Sequence, residues 1–352
     1  MYEYLACAKL AAYMVASNQN PVLVDVSRGD MIESRHRGAV AVVDARGNVM
    51  AAWGDIERPV FARSAIKPLQ ALPLVESGAA ENLEVSDEEL ALACASHGGE
   101  PEHVQTANSW LHRIGLRPDD LECGAHLPMY QPAAAALLRS GDAPSALHNK
   151  CSGKHVGFLA TAVHLGEPTH GYSHADHPVQ RRARQTLEDI SGEKLTDAPT
   201  GIDGCGIPVI GLSLRATAYA MAKLGSPHDL RVERARACER IVQAMGIAPF
   251  MVAGSNRFCT EVMRVTGSGA IVKTGAEGFY TAALPIKGLG VALKIDDGAS
   301  RAAEVAMGAV LQYLEILHDS AIQSLAEQLE PPVRNWAGTP VGRISATSGW
   351  PI

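Results

Sequence analysis

Strand-like sequence at both ends of the chain, with a long helical stretch between, is the feature that most constrains the fold. Residues 22–53 read as strands: VLVDVSRGD, then GAVAVVD, a turn at Ala45-Arg46-Gly47, and NVMAAWG. Alternation across a short glycine-containing turn makes the last two a hairpin. Strand character returns at GAIVKTG (269–275), GFYTAALPIKG (278–288) and LGVALKIDDG (289–298), and a helix, RAAEVAMGAVLQYLEIL (301–317), follows. Between these blocks the clearest helices begin near Ser64, Glu100, Ser152, Pro178, Pro208 and His228, several opened by Pro, Ser or Asp. Strands need partners to hide their apolar faces. The expectation is therefore an α+β fold with one antiparallel sheet built from both chain ends and a mostly helical lobe over about 64–265. A cleft between the two is where a small-molecule site belongs.

The 352 residues allow two modest domains or one large one. Residues 22–352 are assigned here to one domain and residues 1–21 to an N-terminal extension of unknown role. That extension opens MYEYLACAKLAAYMVASNQN; Glu3 comes first and Lys9 interrupts the apolar run, which suits a short surface or interface helix better than a secretion signal. No window reaches the 18 or so apolar residues that span a bilayer. Aromatics are only 5% of residues, so the core is expected to be built from Ala, Val, Leu and Ile. A formal charge of −7 argues against a nucleic-acid partner. Seven scattered cysteines without a secretion signal read as free thiols in a reducing cytoplasm.

The chemistry begins at Arg63-Ser64-Ala65-Ile66-Lys67-Pro68, on the opening turn of a helix. Residues three apart share a helix face, so Lys67 can reach back to the Ser64 hydroxyl. A neutral lysine amine can take the proton that keeps a serine from attacking a carbonyl. An N-cap serine followed by a solvated lysine would satisfy the same spacing. What tips the balance is Lys273-Thr274-Gly275 on a predicted strand far downstream. Ser-x-x-Lys followed by Lys-Thr-Gly is the paired signature of penicillin-recognising serine enzymes, although their Ser-Asp-Asn element is missing. Between the two lies Ser96-His97-Gly98-Gly99-Glu100, whose glycines let backbone N–H groups approach a ligand. A plain interhelical loop reads equally well from those residues alone.

These segments, joined by Ser34-Arg35-His36-Arg37-Gly38, Asn149-Lys150-Cys151-Ser152-Gly153-Lys154-His155, Ile202-Asp203-Gly204-Cys205-Gly206 and Lys273-Thr274-Gly275-Ala276-Glu277-Gly278, resemble the Rhizobium etli-type (class 3) L-asparaginases from about Val22 to the chain end. The resemblance implies the serine β-lactamase and penicillin-binding-protein fold, L-asparagine as substrate, and a cytoplasmic homodimer. It implies two catalytic tandems, Ser64 with Lys67 and Ser96 with Lys273. Arg63, Asp203, His97 and Cys259 would lie in or beside the substrate site, with Asp203 suited to the α-ammonium. Arg63 and Arg257 are both candidates for the α-carboxylate.

Cys151 and Lys154 share a helix face, and Cys205 lies between two glycines. Two thiolates suit zinc, but two buried thiols and a surface lysine are the ordinary reading of such spacing. The resemblance implies one zinc per subunit on Cys151, Lys154 and Cys205, organising the site and not delivering a hydroxide. His170, His174 and His177 are better read as capping and solvent-facing residues than as ligands. His97 and His155 adjoin motif residues and suit orientation of the serine or of the metal ligands. The rival functions are a serine amidase or peptidase on another substrate and a non-catalytic zinc-binding sensor.

Overall fold

The computed structural model describes residues 19–351, so the helix expected within residues 1–18 lies outside the described residues. Eleven strands are present among the described residues: β1 Val22–Arg28, β2 Met31–Asp44, β3 Val49–Trp53, β4 Val60–Phe61, β5 Thr200–Ile202, β6 Pro208–Leu212, β7 Ile271–Thr274, β8 Phe279–Leu284, β9 Leu289–Ile295, β10 Pro332–Arg334 and β11 Pro340–Ala346. The main sheet runs β10-β11-β1-β2-β9-β8-β7, with β3 also on β2, and each of its pairings is antiparallel. The two chain ends meet at the β2–β9 seam, where Val40 lies opposite Leu293, Ala41 opposite Ala292 and Val42 opposite Val291. All six are fully buried although consecutive residues point to opposite faces, so the seam is covered on both sides.

Strand β8 is buried along its whole length because helices cover both sheet faces. The helix Leu214–Gly225 lies on one face of β8 and β9 and the helix Ser300–Tyr313 packs against the same strands. Contact with the first is backbone to backbone: a Cβ on Gly290 would sit 2.0 Å from the Ala218 carbonyl oxygen and 2.3 Å from the Ala222 nitrogen. Only glycine permits that approach. The expected α+β architecture is thus present, with helices dominating residues 63–266.

Three local expectations differ. No helix starts at Pro208; residues 208–212 form β6 of a small β4-β6-β5 sheet, and the helix starts one residue after Ser213, whose hydroxyl accepts from the Ala216 N–H at 3.0 Å. The β-branched run at Val209-Ile210 favours a strand over the proline signal. The helix expected over 301–317 is also not the last element of the main body, since β11 returns to pair with β1 and β10 pairs with β11. Ser64 lies not on an α-helix but on the 3₁₀ turn Arg63–Ile66, and α-helix starts at Lys67. None of the helices among the described residues is long and apolar enough to cross a membrane.

Candidate active site

The helix Ser152–Leu165 is buried from Ser152 through Ala162, the signature of a helix surrounded by protein. Gly153 allows this, because a Cβ there would meet the Leu92 carbonyl at 2.3 Å. That contact draws the start of this helix against the end of helix Asp87–Ala93. Cys151 and Lys154 on one element are thereby brought to Ser96, which follows the other.

Both expected lysines converge on Ser96. The Lys67 amine lies 3.1 Å and the Lys273 amine 2.8 Å from its hydroxyl. Lys67 also donates to the Ala95 carbonyl, and its amine is 3.2 Å from the Cys151 sulfur. Three donors on three acceptors fill the ammonium's capacity. The partner expected for Lys67 was Ser64; the structure turns the amine to Ser96 instead, and links Ser64 to Lys67 through the backbone, the Lys67 N–H donating to the Ser64 carbonyl. Ser64 itself is buried, 8% exposed, on the turn that carries Lys67. Lys273 also donates to the Thr274 carbonyl at 2.8 Å. It stands on β7, the edge strand of the main sheet, while Ser64, Lys67 and Ser96 belong to the helical lobe. Thr281, opposite Lys273, ties the two by donating to the Ala65 carbonyl at 2.9 Å.

Burial sets the electrostatics. It lowers the Lys273 pKa to about 7, and the neighbouring Lys67 charge acts in the same direction. Burial also lowers Lys67, aided by Lys154 and opposed by the Cys151 and Cys205 sulfurs. A pair of amines this close cannot hold two protons cheaply, so the site is built to keep one amine basic near neutral pH.

Arg63 precedes Ser64 with φ +53°, a left-handed conformation unfavourable for a residue with a Cβ. Its guanidinium donates twice to one Asp203 oxygen, at 2.9 and 2.6 Å, and so holds the turn that carries Ser64. Asp203 stays acidic: burial would raise its pKa, but the charges of Lys154 and Arg63 outweigh burial. His97 is fully buried. Its Nδ1 accepts from the Gly99 N–H at 3.1 Å, which places the proton on Nε2 for donation to the Ser152 hydroxyl at 2.9 Å. Both nitrogens are thus occupied within the protein, and the ring stacks on His103 at 4.9 Å. Cys259 is equally buried, with its sulfur 2.9 Å from the Tyr280 hydroxyl. These two residues support the site's framework. The Gly99 N–H likewise serves His97 and does not face the cleft.

Cys151, Cys205 and Lys154 do come together. The Lys154 amine is 3.0 Å from the Cys205 sulfur, and the Lys67 amine 3.2 Å from the Cys151 sulfur. Its neighbour Cys205, and then the Lys67 and Lys154 charges, hold the Cys151 thiol well below its usual range; Cys205 itself is pushed up. Burial pulls Lys154 down, but Cys205, Cys151 and Asp203 carry it upward. Two sulfurs and one nitrogen converging in a buried pocket fit zinc, whose charge would replace the protons on Cys205 and Lys154. No cluster of three or more His, Cys, Asp or Glu suited to a metal exists among the described residues, so any such site depends on the lysine. His177 caps the helix Pro178–Ser191 by accepting from the Val179 N–H, in keeping with its structural reading.

Sequence reasoning missed Glu100, Ser152 and Tyr280. Glu100 was legible only as a helix start; its buried carboxylate accepts from the Ser255 N–H at 2.8 Å and hydroxyl at 2.7 Å, a partner 155 residues away.

An antiparallel sheet from both chain ends, with Ser-x-x-Lys on the helical lobe facing Lys-Thr-Gly on the edge strand, is the arrangement of the penicillin-recognising serine enzymes. Among solved structures the chain is similar to a β-lactamase from Mycobacterium bovis (15% identity, TM-score 0.41, 83% of this chain and 95% of that one). It is also similar to a putative β-lactamase from Bacteroides dorei (12%, 0.41, 83% and 90%) and to the D-alanine carboxypeptidase AmpC from Burkholderia cenocepacia (14%, 0.37, 77% and 93%). Comparison with curated proteins gives no match. The L-asparaginase II family model matches residues 24–346, and the chain belongs to that family of amide hydrolases.

Proposed function

We propose that the chain hydrolyses the side-chain amide of L-asparagine to L-aspartate and ammonia, with Ser64, Lys67, Ser96 and Lys273 acting as one connected unit. The observation that carries this reading is the Ser96 hydroxyl held between two lysine amines, at 3.1 and 2.8 Å, beside the turn that bears Ser64. In the first step the Ser64 oxygen adds to the amide carbon and its proton passes to neutral Lys67. The tetrahedral adduct then collapses. Ammonia leaves with a proton relayed from Lys67 through the Ser96 hydroxyl, and the acyl ester left on Ser64 is cleaved by water, which restores the serine. Lys273, lowered by burial to about 7, keeps Ser96 oriented through its hydrogen bond.

Cys151, Lys154 and Cys205 would hold a zinc ion, one per subunit. Its chemistry when bound is to fix this corner of the site and favour anionic groups, since a serine nucleophile is already present. Asp203, still open at its second oxygen, suits the substrate's α-ammonium. A cytoplasmic homodimer belongs to this reading through the sequence resemblance, and the charge of −7 favours a small-molecule partner over a nucleic acid.

The test separates the two serines by leaving group. On asparagine, Ser64→Ala and Ser96→Ala both lower kcat, by about 10²-fold or more for the relay. On the 4-nitrophenyl β-ester of aspartate, whose leaving group departs without a proton, Ser96→Ala recovers and Ser64→Ala does not. Recovery in Ser64→Ala alone would exchange the two roles. Wild-type protein that releases no ammonia from asparagine would remove the reading altogether.

A further inference from the structure

An α-amino acid brings a carboxylate as well as an ammonium, and the site must meet it with a cation. Arg63 is already held by Asp203 through two hydrogen bonds, and that pair maintains the strained turn before Ser64. Lys67 and Lys273 are committed to Ser96. Arg257 differs. It is half-buried, and its guanidinium has no ion pair and no hydrogen bond among the described residues.

Its place in the fold is closely specified. Arg257 caps the helix Phe258–Thr266, two residues before Cys259, whose sulfur meets the Tyr280 hydroxyl. Tyr280 lies directly across from Thr274, the residue after Lys273. The loop before Arg257 is clamped to the Ser96 turn: the Ser96 N–H donates to the Val252 carbonyl at 2.9 Å, and buried Glu100 accepts twice from Ser255. Gly254 (φ +97°) must be glycine, since a Cβ would stand 2.3 Å from the Glu100 carboxylate, and Asn256 takes a left-handed φ of +58°. Strain held in place by a buried carboxylate fixes where the next residue, Arg257, leaves the backbone.

Electrostatics agree with nearness to the reacting groups. Burial and then Lys67 are the main causes of the low Lys273 value, and the Arg257 charge adds to them. Burial raises the Cys259 thiol, with Arg257 among the charges acting against it. Glu304, on the helix Ser300–Tyr313, also feels Arg257, yet burial favours its neutral form and no ion pair joins the two.

We infer that Arg257 is the anchor for the substrate's α-carboxylate. The inference rests on the asparaginase reading and adds to it the residue that makes the site select a free α-amino acid. A guanidinium matches a carboxylate's two oxygens, and desolvation strengthens the pair.

The experiment compares L-asparagine with its α-carboxamide, asparagine amide, which keeps the reacting side chain and lacks the charge. Wild-type enzyme prefers asparagine. In Arg257→Gln the KM for asparagine rises by on the order of 10- to 100-fold while kcat falls less, and the ratio of kcat/KM values for the two substrates drops toward one. Arg257→Lys, which keeps the charge but not the fork, recovers part of the preference and serves if the glutamine variant does not fold. A ratio unchanged in both variants overturns the inference, as does loss of discrimination in Arg63→Gln alone. Wild-type protein inactive on asparagine but active on another amide overturns the asparaginase reading and this inference with it; wild-type activity with an unchanged ratio overturns only the latter.

Discussion

Lys273→Met isolates what the site costs the fold. The side chain is fully buried, and its pKa falls from the ordinary 10.5 to about 7, chiefly through burial. Between these values the unfolded chain holds a proton that the folded chain has released, so folding stability rises with pH across that window. Its full benefit is present above about 10.5 and is lost as pH falls to about 7. At about 1.4 kcal/mol per pH unit the window is on the order of 5 kcal/mol. Methionine removes that dependence and keeps the alkyl volume, but it forfeits the bonds to Ser96 and Thr274, about 1 kcal/mol each. The variant should therefore be more stable than wild type by roughly 3 kcal/mol below pH 7 and less stable by roughly 2 kcal/mol near pH 10.5, with a crossing between. Urea unfolding of both proteins at 25 °C from pH 6 to 10.5 measures the difference directly. A difference that does not change with pH, or a variant less stable at every pH, would refute the claim that this lysine is folded in at the expense of its proton.

The other expectations are simpler to state. kcat at saturating asparagine should rise with pH, because burial lowers both lysine amines and their deprotonation frees a base; a profile flat from pH 5 to 9 would remove the amines from the rate-limiting step. Purified wild-type protein should carry about one zinc per subunit by elemental analysis and Cys205→Ser much less, with equal metal in the two proteins counting against the Cys151, Lys154 and Cys205 site. Gly290→Ala should destabilise by about 3 kcal/mol without touching the site, since its methyl meets helix backbone at 2.0 Å; a urea midpoint equal to wild type would show that the helix Leu214–Gly225 can move aside.

Much of the architecture was legible because alternation and apolar density are local. GAVAVVD and NVMAAWG announced β2 and β3, and the downstream block announced β7 to β9. What escaped was whatever depends on tertiary partners. The Pro332–Arg334 strand is three residues long and half-exposed, and it becomes a strand by pairing with β11, which pairs with β1. No period can be read in three residues. Pro208 carries a helix-start signal, yet the nearby Thr200–Ile202 segment and the distant Val60–Phe61 segment recruit its strand to a sheet.

The site shows the same division more sharply. Residue types at catalytic spacing were legible: Lys67 and Lys273 meet at Ser96, while Ser64 joins them only through the backbone of the Lys67 turn. The direction of Lys67 was not, because spacing on one element says which neighbours are within reach, not which acceptor is best. Turning inward satisfies the amine with a carbonyl, a hydroxyl and a sulfur at once, which a single bond to Ser64 could not match. Those acceptors come from Ala95, Ser96 and Cys151, brought there by the Gly153–Leu92 contact between helices. The choice is thus made by packing 28 and 84 residues away from the lysine. In the proposed mechanism Lys67 must lose a proton and leave part of this set to serve Ser64, so the inward bonds to Ala95, Ser96 and Cys151 are what the catalytic step has to overcome.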